Sequence, residues 1–117
     1  MKDDERLPAV LDDVARFAAS ARRVVARGRD RFFDPDDDDQ RRIARSLVID
    51  LSTASDRLPT SFRDQRPGID WGGIRAVRNF IAHDYTGTDN VVLWQAVAVE
   101  FPRIVEALGI AERDAAQ

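Results

Sequence analysis

Four stretches of the chain place apolar residues at every third or fourth position, and this spacing constrains the fold more than any other feature. A helix has about 3.6 residues per turn, so the spacing lines one face of each helix with apolar side chains. No stretch alternates apolar and polar residues between turn signals, as a half-buried strand would. The pattern therefore predicts an all-α protein, most simply an antiparallel four-helix bundle.

The first two predicted helices are separated by a charged segment. One apolar stripe predicts a helix from near Arg6 to Arg27, with Gly28 as its end. The next segment, RDRFFDPDDDD, contains Pro35 and predicts a loop. A second helix follows and is expected to end before Pro59, because a proline disfavours helical geometry in the residue before it. The stripe of this second helix consists of Ile43, Leu47, Val48, Leu51, Ala54 and Leu58.

The acidic run at 36–39 has two interpretations, a metal loop or a helix start. The calcium-loop pattern needs a glycine at its sixth position and an acid at its twelfth, and neither is present. Carboxylates at a helix start instead accept amide hydrogens and complement the helix dipole, and we expect this role. With no cysteine and one histidine, a zinc site would need carboxylates for nearly all its ligands, so we expect no metal and no cofactor.

The third predicted helix follows a segment rich in turn residues. Residues 59–70, PTSFRDQRPGID, hold two prolines and a glycine and predict a loop. Asp70 is a suitable N-cap for a helix that begins at Trp71, because its carboxylate can accept an amide hydrogen of the first turn.

The fourth predicted helix contains a proline. Residues 86–88 interrupt the third helix, and Asp89 can cap the next one. Pro102 lies inside that helix and removes a backbone hydrogen bond, so we expect a kink near 98–102. The last residues, 111–117, are expected to fray.

Length and charge bound the class of protein. A chain of 117 residues is long enough for one core without disulfides, so we expect a single domain over 1–117. No apolar run approaches the ~20 residues that a membrane span needs, and the charged start, MKDDERLP, lacks the apolar core of a signal peptide. We therefore expect a cytoplasmic protein with no membrane partner. The net charge of -3 argues mildly against a protein that blankets nucleic acid without specificity.

The stretch RNFIAHDY in the third helix contains the only histidine and the only tyrosine of the chain. At about 100° per residue, its side chains separate into two faces. The apolar face, which we expect to meet the core, consists of Ile74, Val77, Phe80 and Ile81. The polar face consists of Arg75, Arg78, Asn79, Ala82 and His83.

Two interpretations of this polar face remain open from the residues alone. An arginine fork, an imidazole that exchanges protons near neutral pH and an amide form a plausible phosphoester site. Alternatively, a histidine near a helix end is often a structural residue that interacts with the helix dipole, with a tyrosine packed beside it.

The segment from 69 to 108 resembles the C-terminal half of HepT-type toxins in the HEPN superfamily. The resemblance rests on the motif of arginine, four residues, histidine, any residue and tyrosine, here Arg78, His83 and Tyr85. The flanking residues Trp71, Trp94 and Pro102 agree with it. The first half of the chain is similar more loosely, and it has Ser52 and Thr53 where members commonly have Gly-Glu.

The resemblance implies a homodimer of helical bundles in which two Arg78 and His83 sets meet in one cleft as the catalytic residues. The implied activity is that of a metal-independent endoribonuclease toxin that acts on RNA, and on tRNA in some members. The implied partner is an antitoxin, an MntA-like minimal nucleotidyltransferase, which silences the toxin by adding AMP to the motif tyrosine. That acceptor would be Tyr85.

The dimer also has support from the chemistry of RNA cleavage. Attack by the 2′-hydroxyl benefits from one general base and one general acid, and each chain offers a single histidine. Two chains would supply one His83 for each role, with both Arg78 side chains neutralising the phosphate and Asn79 orienting it.

Two alternatives have a different function. The same helices could form a noncatalytic module that binds a nucleotide or a nucleotidyltransferase, or a purely structural dimerisation domain.

A second cluster of arginines could hold an RNA backbone outside the cleft, although we expect a solvated surface there. This cluster consists of Arg22, Arg23, Arg27, Arg29 and Arg31.

Overall fold

The computed structural model describes residues 2–83 and 89–110. Every element in these two ranges is helical, so the all-α prediction is confirmed for the described part of the chain. The predicted interruption at 86–88 and the predicted fraying of 111–117 lie outside the described residues. The elements are α1 (Lys2–Ala26), α2 (Arg29–Phe32), α3 (Asp39–Arg57), α4 (Thr60–Asp64), α5 (Trp71–His83), α6 (Asn90–Gln95), a π-helical segment (Ala96–Glu100) and α7 (Phe101–Leu108).

α1 and α3 lie antiparallel, as contacts at the two ends of the pair show. In the first half of α1, Asp13 Oδ2 accepts a hydrogen bond from Arg57 Nη1 at the end of α3, at 3.4 Å. At the other end, Arg27 Nη1 donates to Gln40 Oε1 at the start of α3, at 3.1 Å. The predicted apolar stripes of both helices form the core between these ends. The buried residues there include Val14, Ala21, Val24, Ala44, Leu47 and Leu51.

The segment between α1 and α3 contains a short helix, α2, so the prediction of a loop there is wrong in part. α1 ends before Gly28 as predicted, and Gly28 has a φ of 97°, a conformation that favours glycine. Phe32 is completely buried, and its ring meets the rings of Phe33 and Trp94 edge-on at 5.1 Å. Burial of this aromatic ring orders the chain where turn signals alone predict a loop.

The acidic run precedes and begins α3. Asp37 Oδ1 accepts the amide hydrogen of Asp39 at 3.0 Å, as the capping interpretation predicts. The prediction is wrong for Asp38, whose side chain makes no capping bond but accepts from Arg42 Nε at 3.1 Å. This hydrogen bond lowers the pKa of Asp38 and raises the pKa of Arg42. Within residues 2–83 and 89–110, no group of three or more His, Asp or Glu side chains is arranged to hold a metal ion.

The connection from α3 to α5 also contains a short helix. α3 ends before Pro59 as predicted, with Leu58 in an extended conformation. Residues 59–70 were expected to form a loop, and α4 lies within them. The half-buried ring of Phe62 packs under the Arg66 guanidinium, which lies 3.7 Å from the ring centroid. Phe62 also packs against the core, and this long-range contact stabilises a turn of helix that short-range sequence signals do not indicate.

The last helical stretch begins at the predicted cap. Asp89 Oδ1 accepts the amide hydrogen of the second residue of α6 at 2.9 Å and that of the third at 3.4 Å. Helical structure then continues through the π-helical segment into α7, where the Phe101 amide bonds to the carbonyl of Ala96, five residues earlier. This wider turn lies directly before Pro102, which has no amide hydrogen to offer. The kink at Pro102 stays a prediction.

α3 lies at the centre of the arrangement. It packs against α1 and α5, and the stretch from α6 to α7 packs against α1 and α3. A groove of about 740 Å³ lies between α5 and that last stretch, and its walls include Ile74, Val77, Ala96 and Ile104. The closed four-helix bundle therefore stays a prediction. None of the helices in the described ranges has both the length and the apolar content that crossing a membrane requires.

Candidate functional site

The start of α5 determines where the RNFIAHDY residues lie. Asp70 Oδ1 accepts the amide hydrogen of Gly73 at 2.8 Å, so the predicted cap is confirmed and α5 begins at Trp71. A Cβ atom at Gly73 would overlap with Asp70 Oδ2. Glycine at this position therefore leaves room for the carboxylate that caps the helix.

The two predicted faces of α5 differ in burial, with one exception. Ile81 is 1% exposed, and Ile74 and Val77 are partly buried against the core, as predicted. Phe80 is 41% exposed, so the prediction that it meets the core is wrong. Phe80 lies about 100° around the helix from Ile81, at the far edge of the apolar stripe. The side of α5 that packs on α3 does not extend to it.

Arg78 and Asn79 lie together on one face of α5, where helical periodicity predicts them, and their role at a phosphate stays a prediction. Arg78 is partly buried, and its Nη1 donates to Asn79 Oδ1 at 3.0 Å. A guanidinium has five N–H donors in one plane, and this bond uses one of them. The amide oxygen orients the arginine fork at the edge of the exposed face. A fork held in this way matches the geometry of a phosphate.

A second arginine lies on the same face, one turn before Arg78. Arg75 donates through Nη2 to Asp56 Oδ1, which links α5 to the end of α3. Both side chains are more than half exposed, at 60% and 51%. The pair of Arg75 with Asp56 is absent from the sequence prediction, since the two residues are 19 positions apart and no local pattern joins them.

The surface beside these arginines carries only small side chains. Gly72 and Ala76 are exposed and occupy the same side of α5 as Arg75 and Asn79. Neither residue carries a side chain larger than a methyl group. A polymeric ligand can therefore approach the helix backbone closely along this side.

His83 and Tyr85 complete the predicted motif. His83 is the last residue of α5, four positions after Asn79 and therefore in the same row along the helix. The structure describes the backbone of His83 and not its side chain. Tyr85 lies outside the described residues, and its predicted role stays a prediction.

The Ser52 and Thr53 positions lie on α3, against which α5 packs. Ser52 is buried and Thr53 is exposed. Asp56, one turn after Thr53, is exposed, and its carboxylate reaches Arg75 on α5.

The second arginine cluster lies against protein groups. Arg23 Nη2 donates to Ser20 Oγ at 2.9 Å, and Arg27 donates to Gln40. The Arg29 guanidinium lies 4.8 Å from the Phe33 ring centroid and 5.6 Å from that of Trp94. All five arginines of the cluster are exposed, which agrees with the expected solvated surface at the end of α1.

A comparison with protein families identifies the chain. The family model described as "Ribonuclease HepT-like" matches residues 14–109, which include Arg78, His83 and Tyr85. The chain belongs to the HepT-like ribonuclease family. The predicted resemblance is therefore confirmed over most of the chain.

Named relatives agree with this family. A protein of Methanocaldococcus jannaschii named as a candidate RNase is 31% identical over 68 residues, which are 58% of this chain and 62% of that protein. A protein of Thermococcus cleftensis named as a probable ribonuclease HepT is 32% identical over 62 residues, which are 53% of this chain and 56% of the relative. The matched segments thus span little more than half of the length of these relatives. No solved structure matches the chain.

Proposed function

We propose that this HepT-like protein is the toxin of a toxin–antitoxin pair and cleaves RNA, including tRNA, without a metal ion. The observation that carries the proposal is the family match over residues 14–109, within which Arg78 and Asn79 form a hydrogen-bonded pair on the exposed side of α5. An arginine fork oriented by an amide is suited to a phosphodiester, which is the group that a ribonuclease must bind.

The proposed reaction uses the 2′-hydroxyl of the RNA as nucleophile. One His83 removes its proton, and the 2′-oxygen forms a bond to phosphorus while the bond from phosphorus to the 5′-oxygen breaks. A second His83 gives a proton to the leaving 5′-oxygen. The products are a 2′,3′-cyclic phosphate and a 5′-hydroxyl. Arg78 neutralises the charge that develops on the phosphate, and Asn79 keeps the guanidinium oriented.

The second His83 comes from a second copy of the chain, because each chain has one histidine. We propose a homodimer of antiparallel four-helix bundles whose α5 helices face each other across one cleft. The exposed side of α5, with its small residues Gly72 and Ala76, would leave room for RNA in such a cleft. The protein would act in the cytoplasm, where its RNA substrates are.

Control of the toxin would act on Tyr85. An MntA-like nucleotidyltransferase antitoxin would transfer AMP to its hydroxyl, with release of pyrophosphate from ATP. The added phosphate is an anion that can occupy the Arg78 fork and exclude RNA. Coexpression with such an enzyme should add the mass of AMP to the wild-type chain and not to Tyr85→Phe. An unmodified wild-type chain would contradict this part of the proposal.

The nuclease is tested by RNA cleavage in EDTA with the purified chain. Wild type should cut, whereas Arg78→Ala and His83→Ala should lose activity by about 10²-fold or more. Arg16→Ala is the matched control, since Arg16 is an exposed arginine of α1 that pairs with Asp13 at 2.7 Å. It should retain full activity. RNA that is bound and never cut by wild type would favour a noncatalytic binding module.

Mixing subunits tests the need for two histidines. If wild type and His83→Ala chains exchange freely at equal amounts, about one quarter of the dimers carry two histidines, and activity should fall to about one quarter. A fall to one half would mean that each subunit works alone.

A further inference from the structure

The face of α5 that carries Arg78 extends one turn further, to Arg75. Arg75 precedes Arg78 by three positions and Asn79 by four, so all three are neighbours on the helix surface. The row continues to His83. The Arg75 side chain is 60% exposed, and its Nη2 bonds to Asp56 Oδ1 on α3.

The contact with Asp56 does not require a structural role for Arg75. Both partners are more than half exposed. An ion pair in this position adds little to stability, because water competes for both charges. A phosphodiester has the same net charge as a carboxylate, and its oxygens accept hydrogen bonds from the same N–H donors. RNA can therefore replace Asp56 at Arg75 with little loss of stability in the folded chain.

The spacing of the basic side chains along α5 suits a strand whose phosphates follow each other at regular intervals. Side chains three or four positions apart are about 5 to 6 Å apart at their Cβ atoms. Long arginine side chains adjust this spacing readily to that of neighbouring phosphates on one strand. The exposed Gly72 and Ala76 place no bulky side chain beside Arg75, so a strand bound at Arg78 can continue across this turn.

We infer that Arg75 is a further substrate-binding residue, which holds the phosphate next to the one that is cut, and that Asp56 is its partner until RNA displaces it. This inference rests on the proposed function. Arg75 takes no proton and touches no reacting atom. It increases the time that RNA stays in the site, so its loss should raise KM and leave kcat nearly unchanged.

Binding to a single-stranded RNA oligonucleotide with 2′-O-methyl groups tests the inference, since this probe cannot be cut by 2′-hydroxyl attack. Arg75→Gln should weaken binding about fivefold, and it should reduce the slope of log Kd against log salt concentration by about 0.7 for each phosphate that is no longer bound. Asp56→Asn should tighten binding about twofold, because it removes the competing carboxylate. In the Arg75→Gln background, Asp56→Asn should have no effect.

Arg42→Gln and Asp38→Asn provide the matched control. Arg42 and Asp38 form another exposed pair, at 3.1 Å in the first turn of α3. Neither substitution should change the salt slope. Unfolding by urea, measured for all four variants, separates weakened binding from a disrupted fold.

Three outcomes would overturn the inference. Equal binding by wild type and Arg75→Gln excludes a phosphate contact, and weaker binding by Asp56→Asn means that the pair positions α5 instead. A kcat that falls with Arg75→Gln while KM stays constant would place Arg75 in the chemical step. A wild-type chain that binds this probe through Arg75 but cuts no RNA would contradict the proposed nuclease and leave the phosphate contact intact.

Discussion

Arg41 and Arg78 are both arginines on helices, and their surroundings give them opposite roles. Arg41 on α3 is 7% exposed, and its Nη1 donates to the carbonyl oxygens of Phe32 and, at 2.9 Å, Asp34. Arg78 on α5 is partly exposed, and its Nη1 donates to the neighbouring Asn79 side chain. An arginine that binds buried backbone carbonyls is part of the fold, whereas one oriented by a side chain at the surface can bind a ligand.

The difference follows from what each guanidinium satisfies. Arg41 binds carbonyls at the end of α2 and in the turn before α3, where the helix leaves acceptors without partners. Phe32, whose carbonyl is one of these acceptors, is fully buried at the end of α2. Removing Arg41 would therefore leave buried polar groups unpaired, a cost that does not arise at Arg78.

The largest expected effect concerns this contrast directly. Arg41→Ala should lower the free energy of unfolding by about 3 kcal/mol, since it removes two charge-assisted hydrogen bonds of ~1.5 kcal/mol or more each. Arg78→Ala should change it by about 0.5 kcal/mol or less, as for an ordinary surface substitution. Urea unfolding followed by circular dichroism measures both. A comparable loss in the two variants would show that Arg78 is also a structural residue.

An effect of intermediate size concerns the start of α5, on which the position of Arg78 depends. Gly73→Ala should displace the capping carboxylate of Asp70, because the new Cβ would overlap with Asp70 Oδ2. Gly72→Ala is the matched control, since its Cβ would meet Asp70 Oδ1 at 3.8 Å, an ordinary contact. Gly73→Ala should therefore be less stable than Gly72→Ala by about 1 kcal/mol, the usual contribution of an N-cap. Equal thermal stability of the two variants would argue against the cap.

The smallest effect concerns Arg42, the neighbour of Arg41 that points to solvent. Its hydrogen bond lowers the pKa of Asp38 below the ordinary value of 3.8. The pair therefore contributes to stability at neutral pH, and that contribution is lost only as the pH falls below 3.8 through the lowered pKa of the folded state. Arg42→Gln should move the Asp38 pKa back towards its ordinary value, as carboxyl chemical shifts measured against pH would show. An unchanged pKa would mean that Arg42 is not the cause.

Much of the candidate site could be predicted because its signals act within one helix. The cap at Asp70 and the start at Trp71 depend on one turn of chain, and helical periodicity alone places Arg78 and Asn79 on one face. The exposed Phe80 could not be predicted, because helical periodicity places it in the apolar stripe and only the position of α3 decides how far that stripe is covered. Asp56 was missed for a related reason, since its partner lies on another helix.

The sequence by itself determines the order of the helices and the caps at Asp70 and Asp89. Each cap is local, since the carboxylate and the amide it caps are three or fewer residues apart. The short helices α2 and α4 form where Phe32 packs against Trp94 and Phe62 packs against the core, and local propensity does not encode these long-range contacts. In the same way, the packing of the helices buries Arg41 and leaves Arg75 at the surface. Residue type sets what an arginine can bind, and the surrounding helices determine which acceptors it meets.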